Sequence, residues 1–323
     1  MKNRVFLAAA ILPLVWAAGS VHAQPSAYPN KPIRIVVPVT AGSGTDATAR
    51  FLGNALGKAW NATVIVENRP GAGASLGSEF VAKAAPDGYT LLFTYAAHYS
   101  NQWVLKPQFD AVKDFEPVAR LANSTLVVAT KGDSPIRNVS DLIAAAKKAP
   151  GRVSYASAGL GSTGHMAGAL LGKLGGVELN HVPYKAASQV PVDAASGQVD
   201  FMIGGLASAL PLIKSGRLHA IAVTADKRSA NLPNVPTVAE QGLKGYENSS
   251  PIWVLAPRGT PEDIVSRLST ELTRFAATPE FKEYTFNQGI EVDIQDAPTF
   301  KAQASAELLK WKQLVELTSP ERN

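Results

Sequence analysis

The chain has 323 residues, 46% of them hydrophobic and 18% charged, the composition of a packed globular protein rather than a disordered one. It contains no cysteine, which excludes a disulfide framework, a thiol nucleophile and a lipid-anchored lipoprotein. Thirty-one basic against 26 acidic residues give a net charge of +5, or +3 without Lys2 and Arg4. The densest basic pairs are Lys147-Lys148 and Lys227-Arg228, so no basic stripe argues for nucleic acid, and the mild positive sign suits an anionic ligand.

Taken in chain order, the first feature is an export signal. Lys2 and Arg4 precede an apolar run from Val5 to Trp16, followed by small residues and Val21-His22-Ala23, a pattern cleaved before Gln24. Residues 1–23 are therefore expected to be removed. The alternative, an uncleaved membrane anchor, is disfavoured because the run falls short of the roughly 20 residues that span a bilayer. The remaining chain is long enough for two lobes rather than one core.

A strand predicted over 33–39 runs into Thr40-Ala41-Gly42-Ser43-Gly44-Thr45-Asp46 and a helix over 45–60. A glycine-bearing turn into a helix start leaves backbone N–H groups free to hold an anion, with Thr40 and Ser43 hydroxyls beside them. Thr45 or Asp46 is expected to cap that helix. The bland alternative is an ordinary strand-to-helix turn. A strand over 63–67 leads to Asn68-Arg69-Pro70-Gly71-Ala72-Gly73-Ala74 and a helix over 75–85; Arg69 is read as a structural ion-pair partner or as a direct carboxylate fork.

Strands over 90–94, 118–121 and 126–130 follow, then a helix over 140–149 with Ser140 as its expected cap. The strand over 153–156 opens a second turn of the same design, Ser157-Ala158-Gly159-Leu160-Gly161-Ser162-Thr163-Gly164, before a helix over 165–174. Gly159 to Gly164 spells G-x-G-x-x-G, but the preceding strand is short and Glu178 opens the next strand instead of ending it, so an anion cradle is preferred to a dinucleotide site. His165 in the first helical turn either donates to a ligand oxygen or closes the loop. The strand over 178–182 ends in Pro183-Tyr184-Lys185, where Tyr184 is a cleft-wall candidate and Lys185 faces ligand or solvent. Strands over 199–203, 218–223 and 253–256 and helices over 261–277 and 298–317 complete the chain, with Thr260 as a cap and Pro261 at a first helical position.

Alternating strands and helices indicate an α/β fold. Without a low-complexity linker, the boundary is expected at strands that cross between lobes: residues 24–124 with 251–323 in the first, 125–250 in the second. Catalysis finds little support. There is no Gly-x-Ser-x-Gly elbow, no His-Glu-x-x-His motif and no metal-ligand spacing among His98, His165, His181 and His219, and no cofactor is expected.

With these residues in view, the chain resembles the solute-binding receptors of tripartite tricarboxylate transporters, the Bug or TctC type. The matching pieces span nearly the whole mature chain: Tyr28-Pro29-Asn30-Lys31-Pro32, Val37-Pro38 through Asp46, Glu67 through Gly73, Ala85-Pro86-Asp87-Gly88-Tyr89, Tyr155-Ala156-Ser157 with Gly161, Ser162 and His165, Val182 through Lys185, Gly197-Gln198-Val199-Asp200, and Pro236-Thr237-Val238-Ala239-Glu240. The resemblance implies a two-lobed periplasmic-binding-protein fold of type II, each lobe a sheet flanked by helices. It also implies a monomeric periplasmic receptor that closes over a small carboxylate and feeds membrane permease subunits. Carried over by motif, the ligand contacts are Thr40, Ala41, Gly42, Thr45, Asp46, Gly71, Ala72 and Gly73 from one lobe and Ser157, Gly161, Ser162, Thr163, His165 and Tyr184 from the other. The chain departs from the family's glycines at Ser43, Ala74, Ala186 and Ser196.

Overall fold

A computed structural model describes residues 28–318; the expected signal peptide, 1–23, lies outside the described residues. The chain opens with β1 (Ile33–Val37), α1 (Gly44–Trp60), β2 (Val64–Asn68), α2 (Ser75–Ala82), β3 (Thr90–Tyr95), α3 (Ala97–Val104) and β4 (Phe115–Ser124). It continues with β5 (Leu126–Lys131), α4 (Val139–Lys148), β6 (Ser154–Ser157), α5 (Thr163–Gly175), β7 (Asn180–Pro183), α6 (Gln189–Ser196), β8 (Phe201–Gly205), α7 (Leu206–Lys214) and β9 (Leu218–Val223). It ends with β10 (Ser250–Pro257), α8 (Glu262–Ala276), α9 (Pro279–Asn287), β11 (Ile290–Gln295) and α10 (Ala297–Thr318).

Two sheets divide these strands, in the orders β11-β4-β10-β3-β1-β2 and β7-β6-β8-β5-β9. Apart from the edge strand β11, they are one design used twice. In the first, β1 pairs parallel with β2 and β3, and β10 enters antiparallel between β3 and β4. In the second, β6 pairs parallel with β7 and β8, and β5 enters antiparallel between β8 and β9. The antiparallel strand is in each case the first one to arrive from the other lobe. The chain changes sheets at Thr125, between β4 and β5, and returns between β9 and β10. This is the two-lobed, type II arrangement.

Burial explains the strands. β10 is buried along its whole length, as a central strand covered on both faces must be. Ile33, Ile35, Leu91, Phe93 and Val254 face α1 and α8 through Leu52, Leu56, Leu268 and Leu272. On the opposite face Val36, Leu92, Trp253 and Leu255 pack with Tyr99, Phe300 and Trp311. The second sheet is enclosed in the same way, Val128, Tyr155, Phe201 and Ile203 on one side and Val127, Ala156 and Met202 on the other.

Three caps differ from expectation. Ser43, not Thr45 or Asp46, caps α1, its hydroxyl accepting from Asp46 N–H at 3.2 Å. Asn138 caps α4 by accepting from Asp141 N–H at 2.8 Å, which leaves Ser140 inside the first turn. Ahead of α8, Pro261 is the extended residue (ψ 138°) and Thr260 donates to the Pro257 carbonyl instead, so the helix starts at Glu262.

Candidate functional site

In each sheet the first strand lies between its two parallel neighbours, so the chain leaves it in one direction and later returns past it in the other. The crevice beyond the carboxyl ends of the strands at such a switch point is where open α/β sheets place ligands. β1 ends there in Thr40-Ala41-Gly42, and β6 ends there in Ala158 to Gly161.

The two turns share a cap as well as a shape. Ser43 and Ser162 are the N-caps of α1 and α5, each hydroxyl accepting from the third helical residue, Asp46 and His165, at 3.2 Å. Those third residues reach back to the glycine before the cap. Gly42 N–H donates to Asp46 Oδ2 at 2.9 Å and Gly161 N–H donates to His165 Nδ1 at 3.2 Å. Both glycines have positive φ, 81° and 74°, which lets the backbone turn its amide toward the helix axis. His165 thus closes its loop as an acceptor, and the proton of its neutral ring is on Nε2.

The charge beneath the two turns differs. Asp46 is 3% exposed and accepts from Arg50 Nε at 3.1 Å and Asn68 Nδ2 at 2.8 Å besides Gly42. Burial alone raises its pKa, but these hydrogen bonds outweigh it and hold the carboxyl below the usual range. Under the other turn, His165 stacks on His181 with ring centroids 4.3 Å apart. Burial lowers the pKa of His165, and burial together with the neighbouring His165 pushes His181 down to about 4. The Ser157 hydroxyl lies 2.7 Å from His181 Nε2. The first turn is therefore backed by an ionised carboxylate paired with Arg50, Nη2 to Oδ1 3.0 Å, and the second by neutral rings.

The remaining candidates fall around these turns. Thr40 and Ala41 are exposed, and Thr45 is partly buried in the first turn of α1. Gly71, Ala72, Gly73 and Ala74 form a compact turn with four successive positive φ values, 126°, 45°, 58° and 84°. Ser157 is fully buried below the second turn, and Thr163 donates across to the Ser250 hydroxyl at 3.2 Å. Tyr184 donates to Asp193 at 2.8 Å, which anchors its ring to α6. Arg69 pairs with Glu67 at 2.6 Å and lies over the Phe80 ring, the structural reading of that residue, while Lys185 is exposed.

Sequence reasoning singles out no site residue of α3, which joins the two lobes at this point. Ser100 Oγ donates to the Gly161 carbonyl at 3.1 Å, and Asn101 Nδ2 donates to the Gly73 carbonyl. Asn101 is fully buried, and a Cβ on Gly161 would overlap its Oδ1. A Cβ on Gly73 would stand 3.2 Å from the Leu160 carbonyl. Glycine turns from both lobes therefore meet over one asparagine, in a closed arrangement. Ala97 to Val104 has no side-chain cap at its N-terminus, so the sequence carries no boundary signal for it.

A family model, the tripartite tricarboxylate transporter family receptor, TctC, matches residues 48–319. The chain belongs to that family. Among relatives of this TctC receptor, a UPF0065 protein from the tcbD-tcbE intergenic region of Pseudomonas sp. strain P51 is 36% identical over 306 residues, 94% of this chain and 91% of its own. A structure of R. palustris Rpa4515 with adipate superposes with a TM-score of 0.85 at 32% identity, covering 90% of this chain and 98% of the other. MatC from Rhodopseudomonas palustris with bound malate gives 0.82 at 29%, covering 89% and 100%. TctC receptors are periplasmic, and no helix among the described residues is long and apolar enough to cross a membrane.

Proposed function

We propose that this TctC receptor binds a small organic carboxylate between its lobes and delivers it to the permease subunits of a tripartite tricarboxylate transporter. The observation that carries the reading is the duplicated turn: equivalent strands, one in each sheet, end in serine-capped helix starts, and beside them the Gly71–Gly73 turn lies against the Leu160–Gly161 turn. A helix start favours an anion by about 0.3–1 kcal/mol when exposed and up to about 2 kcal/mol when partly buried. The α5 turn, with neutral histidines beneath it, is the better seat for a carboxylate. The α1 turn, where Asp46 already offsets the helix dipole, suits hydroxyls, water or the far end of the ligand. The ligand contacts proposed are the residues of the two turns and of Gly71 to Gly73, with Tyr184 as a wall. Adipate in one relative and malate in another make aliphatic dicarboxylates the first compounds to try.

The reading is of a receptor, not an enzyme. The one serine-histidine pair in the site, Ser157 and His181, has a fully buried hydroxyl that a substrate cannot reach. Closure requires a ligand that touches both lobes, because only differential affinity for the closed state shifts the equilibrium.

The test is a thermal-shift and calorimetric screen of aliphatic, amino and aromatic carboxylates. A cognate acid at 100 times its Kd is expected to add about 2.7 kcal/mol of stability. A protein that no carboxylate stabilises sinks the proposal. In a deletion strain, lost uptake supports delivery to a permease, whereas retained uptake with lost gene induction identifies a sensor.

A further inference from the structure

Helix α3 belongs to the first lobe, yet two adjacent residues of it close on a single residue of the second, Gly161. The Ser100 hydroxyl donates to the Gly161 carbonyl at 3.1 Å. Asn101 presents its Oδ1 to the Gly161 Cα, since that oxygen is the first atom a Cβ there would strike. Both side chains are fully buried, and Tyr99 beside them shares an apolar cluster with Met166 of α5.

The two polar contacts act in opposite directions. Asn101 Nδ2 donates to the Gly73 carbonyl within the first lobe, a bond that survives whether the lobes are together or apart. Its Oδ1 has no hydrogen-bond partner among the described residues. With the lobes apart, Gly161 no longer covers Ser100 Oγ or Asn101 Oδ1, and water takes its place at both. Closing therefore exchanges water for a carbonyl at Ser100 and water for nothing at Asn101. An exchanged hydrogen bond is mildly favourable, whereas a buried acceptor left without a donor is unfavourable.

We infer that Ser100 and Asn101 are positioning residues that set how readily the lobes close, the Ser100 hydroxyl drawing Gly161 onto α3 and the Asn101 carbonyl resisting it. Both act through Gly161 and not through ligand contact. The resistance keeps protein contacts alone from closing the cleft, so that a ligand touching both lobes decides the equilibrium. The inference rests on the reading of a cleft that closes over its ligand.

The test is a distance measurement by pulsed electron paramagnetic resonance. The chain has no cysteine, so spin labels on Lys58→Cys and Lys214→Cys are unique. These exposed residues lie in the last turns of α1 and α7, whose starts face each other across the cleft: a Cβ on Gly44 would stand 3.8 Å from the Ala207 Cβ. In the ligand-free protein, Ser100→Ala is expected to lower the ratio of closed to open molecules at least threefold. Asn101→Ala is expected to raise it at least threefold, because Gly73 is partly exposed and water replaces Nδ2 there in both forms. Opposite shifts from neighbouring buried residues are not what a loss of packing produces. Calorimetry adds a second readout: each variant is expected to move the affinities of all binding acids by one common factor, whereas a lost ligand contact would change their ranking. Shifts of the same sign, label distances that neither variant moves, or an affinity change confined to one acid each overturn the inference. A screen in which no carboxylate binds defeats the proposed function instead, and the label distances still decide the roles of Ser100 and Asn101.

Discussion

Asp46 and His165 stand at the same place in two equivalent helices, three residues after a serine cap, and each accepts the N–H of a glycine four residues earlier, at 2.9 Å and 3.2 Å. The fold repeats the hydrogen bond and changes its charge. An ionised carboxylate offsets the partial positive charge of its helix start, while a neutral imidazole leaves it available to a ligand.

His165→Asp is therefore expected to separate stability from binding. An aspartate at this position keeps the loop acceptor and gains about 0.3–1 kcal/mol from the helix dipole, against the lost ring stack on His181. The same charge repels a carboxylate seated on the turn, and affinity is expected to fall at least tenfold, about 1.4 kcal/mol. Calorimetry with the best acid from the screen checks this; unchanged affinity would show that the ligand's acid group does not rest on α5.

The two turn glycines are expected to respond unequally to alanine. At Gly42 nothing lies within 4 Å of an added Cβ, so Gly42→Ala costs only the left-handed strain of about 1–2 kcal/mol. At Gly161 the same strain is joined by overlap with Asn101, which pushes α3 off the second lobe. Gly161→Ala is expected to lose binding tenfold or more, and pairing it with Asn101→Ala to recover part of the loss. Equal affinities for the two single variants would mean that α3 plays no part in closure.

Much of this was legible in the residues, and the gaps have physical causes. Both strand, turn and helix modules were readable because apolar runs stop at clusters of glycine and hydroxyl residues. β11 was missed although Ile290, Val292 and Ile294 alternate with Glu291, Asp293 and Gln295, the period of a half-covered edge strand. Helices α6 and α7 contain Pro191 and Pro211, which mask a helical pattern that packing against the second sheet sustains. The pairing of Asn101 with Gly73 and Gly161 had no sequence signal at all, since it joins segments that only the closed lobes bring together.

The turn at Ala74 offers a stability test. Its φ of 84° is a left-handed conformation that an L side chain resists by about 1–2 kcal/mol. Ala74→Gly relieves that strain but frees the unfolded chain and removes one buried methyl, so a net gain of about 0.5 kcal/mol is expected. Denaturant unfolding measures it. A loss of stability would mean that packing of the Ala74 methyl, only 3% exposed, outweighs the backbone.

The acid limb of stability is expected to be set partly by His98, in the first turn of α3. This ring is 1% exposed, lies 3.1 Å from the Ser78 hydroxyl and 3.0 Å from the Ala111 carbonyl, and stacks on Phe109. Burial pushes its pKa from 6.5 to about 4, against the raising effect of the Ala111 hydrogen bond. Because the folded value is the lower one, the unfolded chain takes up the proton first as pH falls. The neutral ring's contribution is complete above about pH 6.5, declines between 6.5 and 4, and is gone below 4, a change on the order of 3 kcal/mol. Urea unfolding at intervals from pH 7.5 to 4, alongside an NMR titration of the His98 ring, checks the window. A stability profile flat across it, or a ring that titrates near 6.5 in the folded protein, would remove His98 as the cause.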